Sequence, residues 1–119
     1  SFHMCPRKEF FTELREVKSG EVFLGNNKSC HIMGIGSISL EFHDGSVKSL
    51  EEVRWVPELK RNLISLGILD QKGYNFKSGS GSLRIARGSL TVMKGTLRNG
   101  LYVLDSKVHR DQLNASSSS

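Results

Sequence analysis

Alternation is clearest between Ile32 and Phe42, where the even positions read Ile32, Gly34, Gly36, Ile38, Leu40 and Phe42 and the odd ones end in Ser37, Ser39 and Glu41. A period of two with one apolar side predicts a strand with one buried face, thinned by glycine in its first half. His43-Asp44-Gly45-Ser46 then supplies the Asp-Gly pair of a tight hairpin. Val47 to Val56 is its returning partner, stopped by Pro57, which has no N–H to give a ladder. Upstream, Phe10, Phe11, Leu14 and Val17 recur at three- to four-residue spacing and predict a short helix from Lys8 to Val17, ended by Gly20. Glu21 to Leu24 predicts a short strand that turns back at Gly25-Asn26-Asn27, residues that tolerate positive φ. Ser1 to Pro6 carry no clear period.

After Pro57, Asn62-Leu63-Ile64 is a brief buried run, and Ser65 is placed to cap a short helix from Leu66 to Lys72 closed by Gly73. Further strands are predicted at Tyr74–Phe76, Leu83–Ala86, Leu90–Met93 and Leu101–Leu104, separated by Gly-Ser and Lys-Gly turns. The parsing gives about seven strands and one or two short helices, hence a mainly β chain folded as a small barrel or sandwich. Residues 106–119, ending in Asn114-Ala115 and four serines, read as a flexible tail or linker.

Composition narrows this picture. A chain of 119 residues supports one core. No apolar run approaches the roughly 20 residues of a membrane span, and Ser1–Phe11 lacks the apolar segment of a signal peptide. The expectation is an intracellular protein, in cytoplasm or nucleus, neither secreted nor membrane-bound, with Cys5 and Cys30 as free thiols. The net charge of +5 favours weak contact with nucleic acid or acidic surfaces, although the basic residues form no dense run.

Candidate chemistry is sparse. His3, Cys5, Cys30 and His31 pair as His-x-Cys and an adjacent Cys-His. Neighbours on a strand face opposite ways, so no zinc site, and no other cofactor, is expected. No Gly-x-Ser-x-Gly elbow and no phosphate-binding Gly-x-x-x-x-Gly-Lys-Ser/Thr loop is present.

Three segments carry a family resemblance. Ser1-Phe2-His3-Met4 resembles the continuation of a catalytic signature Asp-Ser-Gly-Ala-Ser/Thr-x-His-Met, and His31-Ile32-Met33-Gly34-Ile35-Gly36-Ser37-Ile38 resembles a glycine-rich flap. Val53 to Gly73, VRWVPELKRNLISLGILDQKG, is similar to an inner strand, proline turn, buried Asn-apolar-apolar segment and carboxy-terminal helix, with LYVL at 101–104 extending the match. On these motifs the chain resembles the retropepsin-like aspartic protease domain of copia-type retrotransposon Pol polyproteins. The resemblance implies a closed or partly open β-barrel over residues 1–105, lacking the first strand and catalytic aspartate, followed by the tail. It also implies a flap at Met33, Gly34, Ile35 and Gly36 and an active-site backing at Leu63, Ile64, Ser65 and Gly67. Ser65 stands where retroviral proteases have glycine.

Aspartic proteolysis needs two carboxylates sharing a proton, one from each subunit of a retropepsin-type dimer. The carboxylate must stand in an Asp-Ser/Thr-Gly turn, and Asp44, Asp70, Asp105 and Asp111 are followed by Gly-Ser, Gln-Lys, Ser-Lys and Gln-Leu. No catalytic residue is therefore assigned within the chain, the aspartate being expected upstream of Ser1, and the chain by itself is expected not to cleave peptides. What the resemblance implies is a Pol polyprotein fragment whose intact form processes its own polyprotein as a homodimer. A rival of another class is a noncatalytic β-barrel interaction module in contact with nucleic acid, and a third is a nonfunctional genomic relic.

Overall fold

The computed structural model describes residues 2–18, 20–23, 28–42, 45–98, 101–108 and 111–116. The turn expected at Gly25-Asn26-Asn27 and the His43-Asp44 half of the second turn lie outside them. The order along the chain is β1 (Met4–Cys5), a 3-10 turn (Lys8–Phe10), β2 (Phe11–Glu16), β3 (Glu21–Phe23), β4 (Ser29–His31), β5 (Gly34–Glu41), β6 (Val47–Trp55), β7 (Asn62–Ser65) and α1 (Leu66–Gln71). It continues with β8 (Asn75–Gly79), β9 (Ser82–Arg87), β10 (Leu90–Arg98), β11 (Leu101–Val108) and β12 (Asp111–Ser116). Ten strands form one sheet in the order β2-β5-β6-β1-β7-β12-β11-β10-β9-β8, and β3 pairs with β4 as a separate two-stranded hairpin. The large sheet does not close: β2 and β8 are its ends, and a Glu41–Lys107 bridge between β5 and β11 curls it over its contents.

The predicted strand and hairpin at residues 32–56 form as β5 and β6. Ile38, Leu40 and Phe42 are buried, and Phe42 and Gly45 close the turn with Phe42 N–H donating to Ser46 O and Gly45 N–H to Phe42 O. The helix expected from Lys8 to Val17 is instead a single 3-10 turn and a strand. Its three-residue spacing comes from a β-bulge: Phe11 opposes Ile38 while Leu14 opposes Gly36, and the extra residue between them puts both side chains on one face of the ladder. Pairing with β5 thus satisfies the same apolar positions that a helix would.

The hairpin expected after Glu21–Leu24 forms, with Ser29–His31 returning against Glu21–Phe23. Two more departures concern strands too short or too polar to show a period. Met4–Cys5, β1, lies parallel to β6 through Met4–Arg54 and Cys5–Trp55 and antiparallel to β7 through Met4–Leu63. The expected flexible tail contains an inner strand, because Leu113, Asn114, Ala115 and Ser116 pair in parallel with Asn62, Leu63, Ile64 and Ser65. Asn114 and Ala115 are buried, and the Asn114 side-chain amide donates to Asn62 O at 3.4 Å.

Helix α1 begins where Ser65 predicts, with Ser65 Oγ accepting from Ile68 N–H at 3.3 Å. Gly73 ends it in the left-handed region, φ 91°. The β8–β9 turn uses Ser80 and Gly81, both at positive φ. The main core gathers Cys5, Ile38, Leu40, Val53, Ile64, Leu69, Leu83, Ile85, Met93 and Leu104, while Cys30, Ile32, Val56 and Leu59 form a second cluster under the β3–β4 hairpin. Cys5 and Cys30 form no disulfide and lie in separate clusters.

Candidate functional site

The signature residues meet where β1 enters the sheet. His3, one residue before β1, is 1% exposed. Its carbonyl accepts from Arg54 N–H of β6 at 2.9 Å, and its Nδ1 accepts from Ser65 N–H at 2.8 Å. One residue thereby joins β6 to the end of β7 and the cap of α1. Burial, with the charges of Lys72 and Arg54 adding to it, lowers the His3 pKa to about 4. The ring is therefore neutral at pH 7, and because Nδ1 accepts, its proton sits on Nε2. Arg54 also lies over the ring of Phe2 at 4.0 Å and donates to Glu52 O at 2.8 Å, fixing the approach to β1.

Beside His3 opens a cavity of about 230 Å³ between β6, α1 and β10, floored by Leu40, Leu69 and Met93 and rimmed by Lys48, Lys72 and Arg87. Arg87 packs on the Tyr74 ring at 5.0 Å.

The backing residues fall together. Ile64 and Ser65 are buried at the end of β7, Leu63 is half-buried beside the second core cluster, and Gly67 lies exposed in the first turn of α1. The residues assigned to a flap sit elsewhere and are tied down. Met33 is 41% exposed, but its backbone bonds to Trp55 O at 2.8 Å and Val17 N–H at 3.0 Å. Gly34, Ile35 and Gly36 are laddered to β2 on one side and β6 on the other. Their glycines answer a packing need: a Cβ on Gly36 would run into the Glu13 carbonyl, and one on Gly34 would lie 2.8 Å from Leu14 Cδ1. The β3–β4 hairpin pairs only with itself among the described residues. Its base is tied to the turn after β6, where Glu58 Oε1 accepts from His31 N–H at 2.7 Å and meets His31 Nδ1 at 3.1 Å. That backbone hydrogen bond, with the ring contact, holds the Glu58 carboxyl below its usual pKa.

Of the aspartates with described side chains, Asp70 is exposed on α1, and Asp105 accepts from Lys94 N–H at 3.0 Å. No group of three or more His, Cys, Asp or Glu side chains converges as a metal site among the described residues. Sequence reasoning placed His3 in a motif and weighed it as a metal ligand, and missed its structural role, which no local pattern in Ser1–Pro6 signals.

Residues 1–74 match the family model described as Pol polyprotein, beta-barrel domain. The chain is 35% identical over 115 residues to the retrovirus-related Pol polyprotein from transposon TNT 1-94 of Nicotiana tabacum, covering 97% of this chain and 9% of that protein. No solved structure matches.

Proposed function

The chain belongs to the family of Pol polyprotein beta-barrel domains and is a fragment of a retrotransposon Pol polyprotein; from this we propose that it is the body of a copia-type, retropepsin-like aspartic protease domain. In this reading the catalytic aspartate is carried just upstream of Ser1, and two copies supply the two carboxylates that share a proton across the attacking water. The substrate is an extended segment of the domain's own polyprotein. The β3–β4 hairpin, rather than Met33–Gly36, covers it.

The observation that carries this reading is the seating of His3–Cys5. These residues lie between β6 and β7 in the middle of the sheet and are bonded to both. A catalytic turn immediately ahead of them would be held by the best-buried part of the fold. Such rigidity is what a shared-proton pair requires, since moving the carboxylates apart weakens the coupling by which they hold one proton between them.

The test is a chain extended upstream by about ten residues to include an in-frame Asp-Ser-Gly-Ala, assayed on peptides spanning polyprotein junctions at pH 6. Cleavage is expected to rise more than linearly with enzyme concentration and to vanish on replacing that aspartate by asparagine. A folded extended chain with no cleavage, or with cleavage that survives the replacement, sinks the reading.

A further inference from the structure

We propose that the outer face of β8, β9 and β10 binds the phosphodiester backbone of nucleic acid. In the ladder, Arg84 of β9 stands directly opposite Lys77 of β8 on one side and Lys94 of β10 on the other. Cross-strand partners share a face of the sheet. The flanking residues of β9, Leu83 and Ile85, are 2% and 0% exposed, so the face carrying Arg84 is the outward one. All three cations are exposed, and none has an ion-pair partner among the described residues.

Like charges directly opposite one another destabilise a sheet. Here the same arrangement is made twice in succession, and no ion pair offsets it among the described residues. The neighbouring acid, Asp105, accepts from the Lys94 N–H at 3.0 Å, and its charge offsets the row at one end only. The cost is relieved when a polyanion spans the row.

The surroundings select the kind of polyanion. The rows above and below hold small side chains, Ala86 and Thr91 on one side and Ser82 and Thr96 on the other, so a nucleic-acid backbone can approach the strands closely. Arg98, two residues beyond Thr96, extends the positive face along β10. The apolar side chains that would enter a bilayer, such as Phe76 opposite Ile85, belong to the opposite face. No aromatic ring stands in these rows to stack on a base, so the contact is to phosphates and carries no sequence preference. The three cations lie beyond residue 74, outside the family match, and their role is independent of whether the domain cleaves peptides.

The experiment is fluorescence anisotropy of a labelled random-sequence 20-mer, single-stranded and duplex, titrated with this chain over a range of KCl concentrations. Binding is expected with a log–log salt slope of about −3 on duplex, as for three phosphates neutralised. Arg84→Glu should weaken it at least tenfold, Lys77→Gln and Lys94→Gln should each cut the slope by about one, and Asp105→Asn should strengthen binding. Lys60→Glu, an equal charge change in the loop after β6, is the control expected to weaken binding less than twofold. Because Arg84→Gln removes a repulsion, it should also raise the melting temperature slightly, which separates lost binding from lost folding. The proposal is overturned if no binding occurs at 50 mM KCl, or if Lys60→Glu weakens binding as much as Arg84→Glu. It is equally overturned if vesicles rich in phosphatidylserine bind through the same residues more tightly than the oligonucleotide.

Discussion

At the scale of single residues, His3 makes the fold sensitive to acid. Its folded pKa is lowered to about 4 from 6.5, so between these values the unfolded chain binds a proton that the folded chain refuses. Its contribution to stability is therefore whole above pH 6.5 and lost as pH falls through that value toward 4, amounting to a few kcal/mol. Urea titrations at pH 7.5, 6 and 5 should show the midpoint falling, and the fall should flatten in His3→Gln, whose amide oxygen can still accept the Ser65 N–H. The glycines separate into two kinds. Ala at Gly36 meets the Glu13 carbonyl and should cost about 2–3 kcal/mol by overpacking. Ala at Gly73 meets nothing within 4 Å but must adopt φ 91°, so its cost should be near 1 kcal/mol. Equal losses in the two variants by chemical denaturation would refute the distinction.

At the scale of elements, the sequence was readable wherever a strand or helix carried its own period or punctuation. The alternation of residues 32–42, the Asp-Gly turn and the Ser65 cap each led to the observed element. What was hidden has physical causes. A bulge let β2 imitate a helical spacing; β1 is too short for any period; β12 is polar because Asn114 is buried through a hydrogen bond to Asn62 rather than through apolar packing. Of the candidate site, the sequence marked Ser65, whose N–H donates to His3, but not His3's place in the sheet, and the glycines of β5 reflect strand crowding. Removing residues 111–119 should expose the edge of β7 and broaden the thermal transition, with loss of several kcal/mol. A truncated chain that melts as sharply and at the same temperature as the full one would mean that β12 adds nothing.

For the whole molecule, the middle of the sheet is assembled from distant parts of the chain: β1 from its start, β7 from its centre and β12 near its end lie side by side. Such pairings are slow to form because the loops between them must close first. Refolding should accordingly take milliseconds to seconds by stopped-flow tryptophan fluorescence, with Trp55 beside β1 as the reporter. A microsecond phase carrying the full amplitude would contradict this order of events.

The parallel pairing of β12 with β7 also constrains the polyprotein. As a nascent chain leaves the ribosome, β7 waits with one edge unfilled until residue 116 has emerged. Proteolysis of the folded chain meets the same constraint in reverse. A cut between 105 and 111 would detach an inner strand, so a fragment that keeps this pairing must run through Ser116.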